Sequence, residues 1–96
     1  MAKRRSTKSP ESKKDLLAIW SYIAKDNLTA ASAMLRRINH EIASLSYAPF
    51  RGEAQPQFGE TIRRISVGNY LVFYDVDHDV RILRIFHGAQ KWEDLL

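Results

Sequence analysis

Cysteine is absent from this 96-residue chain. Its absence excludes disulfides, thiolate metal sites and a cysteine nucleophile, and it fits a reducing compartment. Long apolar runs are missing too. No stretch approaches the ~18 consecutive apolar residues of a membrane span, and no apolar segment follows the basic N-terminus as in a secretory signal. We therefore expect a cytoplasmic protein that contacts no membrane.

Motifs for nucleotides, metals and serine nucleophiles are also lacking. The four glycines form neither G-x-G-x-x-G nor a P-loop, and no serine lies in G-x-S-x-G. The three histidines have no metal-ligand spacing. Asp75, Asp77 and Asp79 resemble the start of a calcium loop, but the glycine and glutamate that complete such a loop are absent. We predict no metal site and no cofactor.

Positive charge is concentrated at one end of the chain. Residues 1–14 hold six Lys or Arg against Glu11 alone, a balance of +5, whereas residues 15–96 hold nine Lys or Arg against ten Asp or Glu, a balance of −1. A near-neutral body predicts no specific nucleic-acid binding of its own. The length predicts one domain over residues 9–96, preceded at 1–8 by a basic arm or an edge strand.

Two amphipathic helices are predicted in the first half. Ser9 is a suitable cap, Pro10 suits the first helical position, and apolar residues recur at helical spacing until about Asp26. A second helix is predicted to begin at an N-cap on Thr29 and to end before Pro49. The short link between them predicts a helical hairpin. Each helix has one apolar stripe, and part of that surface remains available to a partner.

The second half has the pattern of strands. Residues 47–60 contain two prolines and two glycines and predict a loop. Strand-forming residues follow in three segments, 61–67, 70–74 and 80–86. Simple alternation in the last strand would place Ile82, Arg84 and Phe86 on one face, and Arg81, Leu83, Ile85 and His87 on the other. The fold class is therefore α+β, with a helical hairpin packed on an antiparallel sheet of three to four strands.

Basic and aromatic side chains share the predicted sheet. Arg63, Arg84 and His87 could hold a phosphate and protonate a leaving oxygen, which are two of the tasks in RNA cleavage. A simpler interpretation is that the arginines form cross-strand pairs with Asp75, Glu60 and Asp79, and that Tyr70 and Tyr74 belong to the core. The residues alone leave both interpretations open.

Three motifs in order resemble the RelE/ParE superfamily of bacterial toxins, and more closely its ParE branch. They are SPESKKDLLAIWSYIAKDN at 9–27, RRISVGNYLVFYDV at 63–76 and RILRIFHGAQKW at 81–92. Together with the second helix they cover nearly the whole chain from Ser9. The family pattern has its recurring residues at Arg63, Gly68, Tyr70, Tyr74, Leu83, Arg84, His87 and Gly88.

The resemblance implies a toxin of a type II toxin–antitoxin pair. Such a toxin is neutralised by a small cognate antitoxin that wraps around it, usually in a hetero-oligomer. The ParE branch implies inhibition of DNA gyrase without enzymatic activity. The RelE branch implies ribosome-dependent cleavage of mRNA, for which Arg63, Arg84 and His87 are the candidate catalytic residues. A third possibility is an antitoxin-binding module without toxicity.

Candidate residues for binding the antitoxin or the target come from both halves of the chain. They are Trp20, Ile23, Arg36, Arg37, Tyr70, Tyr74, His87 and Trp92. Two departures from the family pattern are visible. KRRSTK stands where an apolar first strand is usual, and Gln90-Lys91 stands where the family often has Arg-Asp after His-Gly-Ala.

Overall fold

The computed structural model describes residues 3–96 and consists of two helices packed on a five-stranded sheet. In chain order its elements are β1 Ser6–Lys8, α1 Pro10–Ala24, α2 Leu28–Ser44, β2 Glu53–Ala54, β3 Ile62–Val67, β4 Tyr70–Val76, β5 Val80–His87 and a 3₁₀ turn Trp92–Asp94. The sheet order is β1-β5-β4-β3-β2. The α+β class is confirmed. The sheet is larger than the predicted three to four strands, and it is mixed, because β1 runs parallel to β5.

Helix α1 begins where the sequence predicted. The Ser9 hydroxyl oxygen accepts a hydrogen bond from the Ser12 N–H at 3.0 Å, which satisfies one of the free donors of the first turn. The same hydroxyl donates to the Leu83 carbonyl at 2.7 Å. Ser9 therefore caps the helix and also attaches its first turn to β5.

Helix α2 begins one residue before the predicted cap. Asn27 is the N-cap, and its side-chain oxygen accepts a hydrogen bond from the Ala30 N–H at 2.9 Å. Asn27 has extended backbone angles and follows α1 almost directly, so the link is tighter than the Thr29 cap implied. Within residues 3–96 neither helix combines the length and the hydropathy needed to cross a bilayer.

Strand β1 is polar, yet it is a regular part of the sheet. Ser6, Thr7 and Lys8 lie opposite Val80, Arg81 and Ile82. The Val80 N–H donates to the Arg5 carbonyl at 2.8 Å, and the Ser9 N–H donates to the Ile82 carbonyl at 2.9 Å. Main-chain hydrogen bonds to a buried neighbour hold this segment in place, although its side chains carry little strand signal.

A β-bulge in β5 overturns the predicted alternation. Tyr74 lies opposite Ile82 whereas Phe73 lies opposite Arg84, which leaves Leu83 as the extra residue. Because one residue is inserted, Ile82 and Ile85 both join the core beneath the helices. Ile85 was predicted to lie on the face opposite Ile82, and that prediction is wrong.

The sheet is covered on both faces. The helix side is an aliphatic core with contributions from both helices and three strands, including Leu16, Ile38, Ile42, Val72, Val80 and Ile82. The opposite side carries an aromatic cluster of Phe58, Phe73, Phe86 and Trp92, with ring centroids 5.2–6.0 Å apart. Burial on both faces agrees with the continuous run of strand-forming residues in β4.

Tyr74 connects the sheet to the loop that follows α2. Its ring is 0 % exposed, and its hydroxyl donates to the Pro49 carbonyl at 2.8 Å and accepts from the Gly52 N–H at 3.0 Å. Burial raises the pKa of the Tyr74 phenol, so the group stays protonated and able to donate. Gly52 is needed here because a Cβ at that position would lie 2.9 Å from the Arg64 carbonyl oxygen.

The change Tyr74→Phe should lower the free energy of unfolding by about 1–3 kcal/mol, since it leaves a buried donor and a buried acceptor without partners. Urea unfolding with an unchanged m-value is the measurement. The matched control is Tyr47→Phe, whose ring is 62 % exposed, and it should change stability by less than about 0.5 kcal/mol. Equal effects of the two changes would contradict this role for the hydroxyl.

Candidate functional site

The outer edge of β5 is open to other groups beyond Ile82, where β1 ends. Side chains occupy that edge instead of a strand. The Ser9 hydroxyl donates to Leu83 O, Asp15 accepts from the Ile85 N–H, and Gln90 accepts from the His87 N–H. Edge groups bonded in this way are poorly available for pairing with another strand. Helix α1 packs alongside, and a groove forms between α1 and β5.

An ion pair between Asp15 and Arg84 forms the floor of this groove. The Asp15 carboxylate accepts from Arg84 Nε at 2.8 Å and from Arg84 Nη2 at 3.0 Å, the paired geometry that suits a guanidinium. A third bond to Asp15 comes from the Ile85 N–H at 2.9 Å. Hydrogen bonding to Asp15 raises the pKa of Arg84 further above its ordinary value. Arg84 therefore stays charged, and its guanidinium and the Asp15 side chain satisfy each other's hydrogen bonds.

The groove has a volume of about 350 Å³ and a mixed lining. Its helix wall consists of side chains at helical spacing, Asp15, Ala18, Ile19 and Tyr22. Its sheet wall comes from β4, β5 and the following turn, through Tyr70, Arg84, Ile85, Phe86, His87 and Gln90. Apart from the ion pair, the lining of the groove is apolar and aromatic, with a few polar groups at the ends of its side chains. Such surface is typical of protein and ligand recognition.

His87 lies exposed at one end of the groove. Its ring meets Tyr70 edge-on, with centroids 5.4 Å apart and planes at 88°. Its Nδ1 accepts a hydrogen bond from the Ala89 N–H at 3.0 Å. Because Nδ1 is occupied by this bond, Nε2 is the ring nitrogen that His87 offers to a partner. Burial raises the pKa of the neighbouring Tyr70 phenol, which stays neutral.

The three residues considered for RNA cleavage do not converge. Arg84 and His87 share the groove, but Arg63 lies on β3 and donates to the Gly52 carbonyl at 2.7 Å and to the Phe50 carbonyl at 3.2 Å. Arg63 lies opposite Tyr74, and His87 lies opposite Tyr70. Four residues of strand, about 13 Å, therefore separate their positions along the sheet.

The predicted binding residues are spread over several parts of the molecule. Tyr70 and His87 line the groove. Trp20 and Ile23 are half-buried on α1, the helix that forms one wall of that groove. Arg36 and Arg37 are exposed on α2, and Trp92 belongs to the aromatic cluster, where the Arg64 guanidinium lies 5.5 Å from its ring. Tyr74 is buried in the core and offers no surface to a partner.

The predicted ion-pair partners were wrong, and the central carboxylate of the groove was missed. Arg84 pairs with Asp15 and Arg64 pairs with Glu53, whereas Asp75 accepts from the Thr61 hydroxyl. The signal for Asp15 was a charged residue on the same helical face as Ile19 and Tyr22. Residues 3–96 contain no cluster of His, Asp or Glu side chains suited to a metal ion.

Comparison with known proteins gives this arrangement a family. The family described as the ParE toxin of the type II toxin–antitoxin system parDE matches residues 8–92. The chain belongs to the ParE toxin family. Among relatives of this ParE-family toxin is a protein of Sinorhizobium fredii named "Putative toxin Y4kP", 30% identical over 80 residues, which are 81% of each chain.

Two solved structures have the same fold as this ParE-family toxin. The chromosomal ParDE system of P. aeruginosa has a chain that superposes with a TM-score of 0.75 at 18% identity, covering 91% of this chain and 98% of that one. The RelBE2 toxin–antitoxin complex of Mycobacterium tuberculosis has a chain with a TM-score of 0.64 at 21% identity, covering 94% and 97%. This chain therefore shares its fold with a chain from each of these two toxin–antitoxin structures.

A double-mutant cycle with Asp15→Ala and Arg84→Ala should give a coupling of about 1.5–3 kcal/mol in unfolding free energy, because the pair is half-buried and bonded twice. The matched control is a cycle on Glu53 and Arg64, whose carboxylate is exposed, with an expected coupling of about 0.2–1 kcal/mol. Couplings of the same size would mean that the Asp15 pair contributes no more than a surface contact.

Proposed function

We propose that this ParE-family chain is a toxin that inhibits DNA gyrase in the cytoplasm and is neutralised by a cognate antitoxin in a hetero-oligomer. In this proposal the toxin acts by binding a target protein, and it catalyses no reaction. Membership of the ParE family supports the proposal at the level of the toxin class. The choice of target rests on the charge of the groove between α1 and β5.

The observation that carries the choice of target is the neutralisation of Arg84. An RNA-cleaving site needs a cation free to hold the phosphate as charge develops. Here a phosphate would have to displace Asp15, which would leave a partly buried carboxylate without its cation at a cost of about 1.5–3 kcal/mol. Arg63 cannot replace Arg84, because Arg63 does not line this groove. A neutral, partly aromatic groove suits a protein target better than ribosomal RNA.

A ribosome-dependent mRNA endoribonuclease is the alternative function. Its support is the proximity of Arg84 and His87 in one groove, together with the fold shared with the RelBE2 complex. In that alternative, His87 would offer its Nε2 proton to the leaving oxygen. A third alternative is a module that has lost toxicity and binds only an antitoxin.

Induction of this chain alone in bacteria should lower DNA synthesis first while translation continues, because a gyrase inhibitor blocks replication before it affects protein synthesis. Paired pulse-labelling of DNA and protein is the measurement. The purified chain should also inhibit supercoiling of relaxed plasmid by gyrase, and it should leave mRNA on programmed ribosomes uncut.

Each alternative gives a different result in these assays. An early fall in translation, with mRNA cleavage that His87→Ala abolishes, would replace the gyrase proposal by the endoribonuclease. Absence of growth arrest together with tight antitoxin binding would indicate the non-toxic module. The control in every assay is Leu95→Ala, which lies on the C-terminal turn and outside the groove, and it should behave as the unchanged chain.

The antitoxin is proposed to cover the helical hairpin and the groove beside α1. Large apolar side chains are exposed on the hairpin, namely Leu17, Tyr22 and Leu28. Tyr22 is 72 % exposed and also lines the groove, so one partner segment can cover both surfaces. An amphipathic segment laid along a groove uses such side chains as anchors. Strand addition to β5 is less suitable, because Ser9, Asp15 and Gln90 already occupy its edge.

Truncation of the tyrosine, Tyr22→Ala, should weaken the antitoxin complex about tenfold or more, since aromatic anchors dominate such interfaces. Isothermal titration with the cognate antitoxin is the measurement, and Leu95→Ala is the control with unchanged affinity. Unchanged affinity for Tyr22→Ala, or crosslinks confined to the Asp77–Asp79 turn, would place the antitoxin elsewhere.

A further inference from the structure

A second groove, of about 600 Å³, runs between the N-terminal segment and α2. One wall comes from the N-terminal segment and includes Lys3, Arg4, Arg5 and Lys8, and the other wall includes Ile42 and Tyr47. We call it the basic groove. It is separate from the groove between α1 and β5, because the two share no lining residue.

The cations of the basic groove are not neutralised within the described part of the chain. Across residues 3–96 the ion pairs are Arg51–Glu41, Arg64–Glu53 and Arg84–Asp15, and none involves these four residues. The first groove is the opposite case, because its arginine is held by a carboxylate. Since residues 15–96 carry a balance of −1, the positive potential of the protein is concentrated at this groove and the adjoining α1 terminus.

Two of the cations are held in place before any ligand binds. Arg4 donates its N–H to the Ser46 carbonyl at 2.9 Å and its guanidinium to the Asp77 carbonyl, and that guanidinium lies 5.3 Å from the Phe50 ring centroid. The Lys3 ammonium lies 5.6 Å from the Tyr47 ring centroid. Cations that aromatic rings already position lose less conformational entropy when they meet an anion.

The lining favours an anionic backbone over a peptide or a single-stranded nucleic acid. A peptide needs apolar pockets for its side chains, but Ile42 is only 3 % exposed, and the strand at this edge is three residues long. Single strands bind by stacking bases on aromatic rings. The aromatic ring in the lining is Tyr47, which already contacts the Lys3 ammonium, and a base would have to displace that ammonium. What the groove offers is unneutralised positive charge.

We propose that the basic groove binds the phosphate backbone of duplex DNA without sequence preference. Four cations contact phosphates, and no side chain reads a base. Such a contact is weak at physiological salt, with a dissociation constant on the order of 10⁻⁴–10⁻⁶ M. It would hold the toxin on the duplex that gyrase acts upon, and only this last link rests on the proposed function. DNA binding itself is measured without gyrase, so either proposal fails independently of the other.

The test is the salt dependence of binding between the full chain and a fluorescent, random-sequence duplex of ~20 base pairs. Neutralising four phosphates gives a slope of log K against log salt of about −3.6, which is a loss of about 150-fold in affinity between about 50 and 200 mM KCl. The triple variant Lys3→Gln, Arg5→Gln, Lys8→Gln retains Arg4, and its slope should fall to about −1. Two unrelated duplex sequences should bind equally.

The matched control removes the same charge from helix α1 and from its C-cap, Lys25. The triple variant Lys13→Gln, Lys14→Gln, Lys25→Gln changes exposed residues outside the basic groove and should keep a slope near that of the unchanged chain. Circular dichroism verifies that both triple variants are folded. Equal losses in the two variants would overturn the proposal. Absence of duplex binding at low salt would also overturn it. So would tighter binding to single-stranded DNA or to a poly-glutamate peptide that carries the same charge as the duplex.

Discussion

Asp15 joins the first helix to the last strand through three hydrogen bonds, two from the Arg84 guanidinium and one from the Ile85 N–H. Because the bond to Ile85 uses an outward main-chain donor of β5, it holds α1 beside that strand and occupies an edge that would otherwise accept another strand. The same carboxylate neutralises Arg84. This one side chain therefore sets the charge of the groove, and it also helps to hold the helix and to protect the edge of β5.

Charge is divided between the two grooves of this toxin. The groove between α1 and β5 contains an ion pair whose two charges neutralise each other. The rest of its lining includes tyrosine, aliphatic and histidine side chains. The groove between β1 and α2 contains cations without carboxylate partners among residues 3–96. Neutral surface with aromatic anchors suits a protein partner, whereas clustered unpaired cations suit a phosphate backbone. A small toxin can thus contact a protein and a polyanion at the same time.

The bulge at Leu83 allows β5 to contribute apolar side chains to a core on each face of the sheet. By inserting one residue, it brings Ile82 and Ile85 to the helix side and leaves Phe86 in the aromatic cluster on the other side. Helices cover the first core. The second is covered by Phe58 and Trp92 from outside the regular strands. Both faces of β4 are buried as a result, which agrees with its continuous run of strand-forming residues.

The sequence by itself determined the helical hairpin, the central strands and the family, because each of these depends on local signals. Helical spacing, the cap at Ser9 and the run from Tyr70 to Tyr74 are all readable from adjacent residues. The tertiary structure alone decided the strand at Ser6–Lys8, the bulge at Leu83 and the pairing of Asp15 with Arg84. These features join residues about seventy positions apart or need the register of two paired strands, so no local pattern encodes them. The division between a neutral and a basic groove has the same origin, since it depends on which carboxylate the folded chain brings to each arginine.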